Sequence, residues 1–251
     1  MRTAIIIPAR YSSSRLPGKP LLNATGKYLV QHVYENACRS QAAAVIVATD
    51  DRRIFDAVRS FGGQAMMTRS DHASGTDRVA EVAERLDADV IVNLQGDEPQ
   101  LEAATLDLLP RLLADDPAAP MATLGVPIRS LEQWRDPNVV KLVRNRQGRA
   151  LYFSRSPIPH VRDGAADFAA RPPRFLQHLG LYAYRKDFLL KLAALPPEPL
   201  EHLEKLEQLR VLAHGHPIAV GVVEHAGVGV DTREDYERFV TAWRAARRAA
   251  A

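Results

Sequence analysis

The sequence has 251 residues and a formal net charge of +3 at pH 7; 46% of its residues are hydrophobic and 25% are charged. These values are ordinary for a globular protein that is long enough to bury a substantial core. No apolar run approaches the roughly 20 residues that span a bilayer, and the first residues lack an apolar signal segment, so we expect a cytoplasmic protein without membrane insertion. The single cysteine, Cys38, excludes an internal disulfide and a cysteine-rich metal site, and we expect it to pack inside a helix.

The chain begins with a predicted strand that leads into a cationic loop. Residues 4–7 are a short apolar run typical of a buried strand, and Pro8 ends it because proline donates no hydrogen bond to a sheet ladder. The following loop carries three cations, Arg10, Arg15 and Lys19. Ligands bind at the carboxyl edge of open α/β sheets, so three cations at that edge favour a multiply charged anion such as a triphosphate. Solvated surface charges remain the alternative for each of them.

Helices and strands alternate through the next hundred residues. Apolar runs predict strands at 44–49, 64–68, 89–94 and 121–126, and helical spacing predicts helices at 29–38, 52–61, 79–86 and 103–114. This order predicts an α/β fold with a doubly wound, mostly parallel sheet. Asp50 and Asp51 are predicted to cap the helix that follows them. Arg78 stands in a first helical turn, where acidic residues are preferred, and therefore indicates an anionic partner.

Ser74 and Gly75 precede one of these helices, and two interpretations stay open. They form an ordinary helix cap, or they offer backbone amides and a carbonyl to the edge of a ligand.

The pattern changes after residue 129. Two short runs around the Gln147–Gly148 turn predict a β-hairpin, and a loop rich in proline, glycine and charge extends to Arg174. We interpret residues 1–251 as a single domain, with approximately 129–175 as an inserted β-rich subdomain. The remaining predicted elements are a strand at 177–185, a helix at 200–214 with a leucine stripe, a strand at 218–223 and a helix at 233–246.

Two aspartates, Asp97 and Asp231, each follow a predicted strand and a glycine. Proteins typically hold Mg²⁺ with one or two carboxylates, while substrate phosphates and water supply the remaining oxygen ligands. Asp97 and Asp231 fit that requirement opposite the cations of the first loop. A turn residue is the alternative for Asp97, and a helix cap is the alternative for Asp231. Spacing alone thus predicts a nucleotide–Mg²⁺ enzyme that acts at phosphorus.

The stretch from residue 7 to residue 21, IPARYSSSRLPGKPL, resembles the signature of sugar nucleotidyltransferases, and more narrowly of the cytidylyltransferases that activate acid sugars. Further blocks that resemble this family run the length of the chain: VATD at 47–50, TRSDHASGTDR at 68–78, VNLQGDEP at 92–99, ALYFSR at 150–155, HLGLY at 178–182, PLEHLEKLEQLR at 199–210 and GVGVDT at 227–232.

The resemblance implies a nucleotidyltransferase-like variant of the Rossmann fold, whose inserted subdomain serves as a lid and as the contact of a homodimer. It implies transfer of CMP from CTP to an acid sugar with release of diphosphate, Mg²⁺ as cofactor, and a role in lipopolysaccharide biosynthesis in the cytoplasm. The expected sugar is 3-deoxy-manno-octulosonate (Kdo).

The resemblance also implies roles for individual residues. The catalytic residues are Arg10, Lys19, Asp97 and Asp231, of which Asp97 and Asp231 hold the metal. The nucleotide contacts are Ala9, Arg10, Arg15, Lys19, Ser74 and Gly75. The acid-sugar contacts are Arg78, Gln95, Arg155, His178, Tyr182, Glu207 and Gln208. Guanidinium, amide and carboxylate groups suit a sugar that carries one carboxylate and many hydroxyls.

Three rival interpretations are kept. The enzyme activates another acid sugar, such as an 8-amino analogue of Kdo or a sialic acid. The chain is instead a non-catalytic nucleotide-binding regulator with the same fold. Nucleic-acid binding is suggested only by the basic tail at 243–249, which lacks aromatic stacking platforms, so we expect no nucleic-acid partner.

Overall fold

The computed structural model describes residues 1–12, 16–72, 74–225 and 227–249. The chain divides into two compact units, a first unit of Met1–Asp107 with Gly227–Ala251 and a second unit of Leu108–Ala226. The predicted subdomain at approximately 129–175 falls within the second unit, and its separate character stays a prediction. No helix in the described ranges is both long and apolar enough to cross a membrane.

Strands and helices alternate along the first half of the described residues, and successive strands and successive helices follow in the second half. The strands are β1 (Thr3–Ala9), β2 (Ala44–Thr49), β3 (Ala65–Met67), β4 (Val90–Asn93), β5 (Met121–Pro127), β6 (Lys141–Arg144), β7 (Ala150–Ser154), β8 (Leu176–Arg185) and β9 (Ile218–Val222). The α-helices are α1 (Leu29–Ala37), α2 (Arg52–Ser60), α3 (Gly75–Glu84), α4 (Ala103–Asp115), α5 (Leu131–Arg135), α6 (Lys186–Ala194), α7 (Pro199–Glu204), α8 (Gln208–Ala213) and α9 (Arg233–Ala249). A short 3-10 helix spans Lys19–Leu21.

The first unit contains a parallel sheet with the strand order β3-β2-β1-β4. In register, Ile5 of β1 pairs with Val45 of β2 and with Val92 of β4. Strands β1, β2 and β4 are buried almost throughout, as expected for parallel strands covered on both faces, whereas the edge strand β3 is partly exposed. All four carboxyl ends therefore meet at one edge, and the loops that follow β1 and β4 leave the sheet side by side.

The neighbouring residues Asp50 and Asp51 have different roles, and only Asp51 caps a helix. The Asp51 side chain accepts a hydrogen bond from the Arg53 amide and caps α2, as predicted. Asp50 was wrongly predicted to share that role: its carboxylate accepts from Arg78 at 2.9 Å. Arg78 is fully buried, and a buried guanidinium requires a charged partner, which outweighs capping by Asp50.

The second unit combines antiparallel and parallel pairs. β5 pairs antiparallel with β8 and parallel with β9, and the predicted hairpin is confirmed as the antiparallel pair β6–β7. A register shift interrupts the β5–β8 ladder, so that Thr123 lies opposite Tyr182 while its neighbour Leu124 lies opposite Leu179. The bulged strand keeps His178 and Tyr182 together, with ring centroids 5.5 Å apart.

Two predictions were wrong, the single helix at 200–214 and the packing of Cys38 inside a helix. The predicted helix at 200–214 is two helices, α7 and α8, because Lys205 adopts a left-handed conformation with φ 53°. The predicted leucine stripe is broken by this turn, and Leu203 is 80% exposed whereas Leu209 is buried. Cys38 does not pack inside a helix: α1 ends at the preceding residue, which leaves the cysteine exposed at the helix terminus.

Candidate active site

A cleft of about 410 Å³ opens at the carboxyl edge of the first unit's sheet. It lies where β1 and β4 end, which is the edge that the sequence pattern indicated. Its lining comprises Pro8, Ala9, Arg10, Ser12, Lys19, Pro20, Gly75, Gln95, Gly96, Asp97 and Asp231. Residues from distant parts of the sequence thus meet around one opening.

The Lys19 ammonium group brings the two predicted metal ligands together. Its Nζ lies 2.6 Å from Asp97 Oδ2 and 3.3 Å from Asp231 Oδ1. It also donates to the carbonyl oxygen of Val230 at 2.9 Å, so each of its three hydrogens has an acceptor. The Val230 amide donates to the Asp97 carbonyl at 2.8 Å, which ties the two acidic loops to each other.

The backbone at Gly18 sets the position of Lys19. Gly18 has φ +69° and is the N-cap of the 3-10 helix that starts at Lys19, with Pro20 in its first turn. A Cβ on Gly18 would lie 3.3 Å from the ring of Tyr11. Both the left-handed conformation and the close ring favour glycine here, and this turn directs Lys19 towards the acids.

Glu98 is a third carboxyl at this place, and it was not among the site residues predicted from the sequence. Its Oε2 lies 3.1 Å from where a Cβ on Gly227 would stand, and its Oε1 lies 3.5 Å from the same point on Gly229. Burial raises the pKa of Glu98 to about 7, the charges of Asp97 and Asp231 add to the rise, and Lys19 opposes it. The sequence feature that could have identified Glu98 is its position directly after Asp97 in the same turn.

The carboxylates suit a divalent ion of the magnesium type. Asp97 and Asp231 contact the same ammonium group, so both carboxylates face one point in the cleft. Among the described residues, no cluster of three or more histidine, cysteine, aspartate or glutamate side chains forms a complete metal cage. An ion at this pair would therefore take its other ligands from phosphates and water, which is the usual arrangement for Mg²⁺.

Arg10 fastens the loop before α3. Its Nη2 donates to the carbonyl oxygens of His72 and Ser74, both at 2.9 Å. The Ser74 hydroxyl accepts from the Asp77 amide, and the Asp77 carboxylate accepts from the Ser74 amide, so the capping interpretation of Ser74 is confirmed. Gly75 lines the cleft. The roles of Ser74 and Gly75 towards a nucleotide stay predictions, and Arg15 lies outside the described residues.

The two acid-sugar candidates of the first unit differ in placement. Gln95 lines the cleft beside Asp97. Arg78 is buried, donates to Asp50 Oδ2 at 2.9 Å and to Thr68 Oγ1, and does not line the cleft. The anionic partner that its position indicated is thus Asp50 within the chain. Its Nε is buried without a hydrogen-bond partner among the described residues.

The second unit holds a largely buried series of hydrogen-bonded side chains that includes three acid-sugar candidates. Tyr182 donates its hydroxyl to Gln208 Oε1 at 3.3 Å, and Gln208 Nε2 lies 3.4 Å from His178 Nδ1. His178 Nε2 lies 3.0 Å from Thr123 Oγ1. The contacts are consistent with one order of donors: Gln208 donates to Nδ1, and Nε2–H donates to Thr123. His178 is then a neutral imidazole.

The pKa shifts of these hydrogen-bonded side chains agree with a neutral His178. Burial lowers the pKa of His178 to about 3. Burial also raises the pKa of Tyr182, and the negative charge of Glu207 adds to that rise. The group therefore offers neutral hydrogen-bonding side chains with one carboxylate beside them.

Arg155, the remaining candidate, is held by backbone oxygens. Its Nε donates to the Glu204 carbonyl at 2.7 Å and its Nη1 donates to the Pro137 carbonyl at 3.0 Å. The side chain is half-buried, and its Nη2 has no hydrogen-bond partner among the residues that the structure describes. A guanidinium held in this way retains donors for an anionic ligand.

A parallel α/β sheet with a cationic loop and paired carboxylates at its carboxyl edge is typical of enzymes that act at the phosphorus of nucleotides. The profile of the cytidylyltransferase family matches residues 4–218, and the chain belongs to that family.

The similar proteins are more specific. The chain is 53% identical over 244 residues to 3-deoxy-manno-octulosonate cytidylyltransferase of Syntrophotalea carbinolica, covering 95% of this chain and 97% of the relative. It is 54% identical over 244 residues to the protein of the same name from Syntrophobacter fumaroxidans, covering 96% of each. A solved structure of CMP:2-keto-3-deoxy-manno-octonic acid synthetase complexed with CTP superposes with a TM-score of 0.90 at 47% identity, covering 97% of this chain and 99% of that one.

Proposed function

We propose that this chain transfers CMP from CTP to Kdo and releases diphosphate. The proposal is supported by relatives that are about half identical over nearly their whole length, and by a similar synthetase solved with CTP. The observation that carries it is the Lys19 ammonium group held between Asp97 and Asp231 in the cleft at the sheet edge.

The cleft residues suit displacement at the α-phosphorus of a nucleoside triphosphate. Lys19 and Arg10 supply positive charge beside the phosphates, and Lys19 stabilises charge on the departing diphosphate. Asp97 and Asp231 would hold Mg²⁺, which supplies positive charge at the phosphates and lowers the pKa of the attacking hydroxyl when it is bound. No covalent intermediate with the protein is required.

The acid-sugar assignments follow the family resemblance, and the chemistry of these residues supports them. Arg155 retains guanidinium donors for a carboxylate. His178, Tyr182 and Gln208 offer neutral groups for hydroxyls. The full proposed set adds Arg78, Gln95 and Glu207. Of these, Arg78 would need to act from its buried position beside Asp50.

A diphosphate-release assay tests this function directly. We expect release with CTP and Kdo together, and none with CTP alone. Faster release with an 8-amino analogue of Kdo or with a sialic acid would show that another acid sugar is the substrate. CTP binding without diphosphate release from any acid sugar would instead support the non-catalytic regulator.

We propose that the protein is a cytoplasmic homodimer in lipopolysaccharide biosynthesis. The family resemblance supports the dimer, and Leu151, which is 60% exposed within the predicted inserted subdomain, is the residue at which to test it. We expect light scattering to give twice the chain mass and Leu151→Lys to shift it towards the monomer. The control is Leu200→Lys, an exposed leucine of α7 in the second unit but outside the predicted subdomain. A monomeric wild type would contradict the dimer.

A further inference from the structure

Lys141 is a fully buried lysine whose partners are backbone carbonyls. Its side chain extends from β6 at 0% exposure, and its Nζ donates to the carbonyl oxygens of Asp136 at 2.9 Å, of Val139 at 2.6 Å and of Arg155. Burial lowers the pKa of Lys141, while the charges of Asp136 and Glu204 oppose that change. Burying a lysine costs free energy unless its ammonium group is hydrogen-bonded, and here each of the three ammonium hydrogens bonds to the carbonyl of a different residue.

Glu204 holds Arg155 from another side. Its carboxylate accepts from Ser154 Oγ at 2.6 Å and from the Arg155 amide at 2.9 Å. Its own carbonyl accepts from Arg155 Nε at 2.7 Å. The amide of Arg155 is thus bound by Glu204, and the carbonyl of Arg155 is bound by Lys141.

The same lysine also fixes the acceptor for the Arg155 side chain. Arg155 Nη1 donates to the carbonyl of Pro137, and Pro137 lies between the two residues, Asp136 and Val139, whose carbonyls Lys141 binds. Lys141 therefore connects the backbone of Arg155 to the loop that receives its guanidinium. A guanidinium held at Nε and Nη1 has lost much of its rotational freedom before any ligand arrives.

We propose that Lys141 and Glu204 are positioning residues that set the Arg155 guanidinium for the carboxylate of the acid sugar. This inference rests on the proposed function, because it takes Arg155 as a sugar contact. Ordering the guanidinium in advance lowers the cost of ordering it on binding, so the effect falls on the sugar rather than on CTP.

The test is a comparison of Michaelis constants in a diphosphate-release assay. We expect Glu204→Gln and Lys141→Met each to raise the KM for Kdo by about tenfold or more while the KM for CTP changes less than about twofold. Glu132→Gln, an exposed glutamate of the second unit, is the matched control and should change neither. Thermal unfolding shows which variants fold, and Glu204→Gln retains the test if Lys141→Met does not.

A double variant separates positioning from general stability. If Glu204 acts through Arg155, adding Glu204→Gln to Arg155→Ala should produce no further rise in the KM for Kdo. If the double variant instead raises the KM for Kdo by the product of the two single effects, the inference is overturned. Equal rises in the KM for Kdo and the KM for CTP in the single variants would also overturn it.

The premise is checked separately. Arg155→Ala with an unchanged KM for Kdo would overturn both the sugar role of Arg155 and the positioning role. A wild type that releases no diphosphate contradicts the proposed function instead, and calorimetric titration of Kdo into the same variants then decides the positioning role.

Discussion

At the scale of single residues, the cleft depends on charges that face one another across the sheet edge. Lys19 has a side chain that is 13% exposed and contacts Asp97 and Asp231 at once. One ammonium between two carboxylates leaves a net negative charge, which suits an incoming cation. The same carboxylates repel a bare triphosphate, so nucleotide and divalent ion should bind together.

Asp97→Asn should reduce kcat by about a thousandfold, because it removes a charge that the proposed metal site requires, while CTP still binds measurably. Kinetics and calorimetric titration of CTP measure the two effects. Asp56→Asn, which alters an exposed ion pair on α2, is the control. Undiminished turnover would remove Asp97 from the mechanism.

His178 predicts a pH dependence of stability. Its pKa is lowered to about 3 in the folded protein, against 6.5 for an unperturbed histidine, so the unfolded chain binds an extra proton between those values. The free energy of unfolding should therefore fall as the pH falls below about 6.5, by about 1.4 kcal/mol per unit from this group.

Urea unfolding of wild type and His178→Gln at pH 7 and pH 5 measures that contribution. The variant should lose less stability than wild type over this interval, because glutamine does not titrate. Equal losses in both proteins would show that His178 is not buried as a neutral imidazole.

At the scale of elements, a left-handed glycine opens the 3-10 helix that carries Lys19. Gly18→Ala should raise the KM for CTP and lower stability by about 1–2 kcal/mol, because alanine is strained at φ +69°. Gly62→Ala is a matched control, since Gly62 has φ +81° and a Cβ at that position would meet nothing within 4 Å. Both variants should lose stability, but only Gly18→Ala should raise the KM for CTP. An equal effect on the KM for CTP would contradict this assignment.

At the scale of the whole molecule, nucleotide and metal should stabilise the fold together. CTP with Mg²⁺ at 100 times its dissociation constant should stabilise the native state by about 2.7 kcal/mol, which appears as a higher thermal midpoint. CTP with a chelator should stabilise less, and the difference should disappear in Asp97→Asn. Chelation should abolish diphosphate release and Mg²⁺ should restore it. A metal-independent shift would contradict a shared site.

Local patterns determined much of the first unit. The apolar run at 4–7 and the one at 44–49 each favour a buried strand, and parallel strands end at one edge whatever their loops contain. That shared edge is enough to predict that Lys19 and Asp97 lie near each other. Spacing also proposed Asp231 as the partner of Asp97, whereas the family resemblance supplied the roles of the acid-sugar candidates.

The tertiary structure decided what depends on burial and on partners far away in sequence. Arg78 contacts Asp50, Glu98 packs against the glycines at 227 and 229, and Lys141 binds a carbonyl as distant as that of Arg155. Buried polar groups need partners, and the chain can supply these from any distance along the sequence, so local propensity did not reveal them. The break at Lys205 has the same origin, since helix propensity is a weak prior that tertiary contacts override.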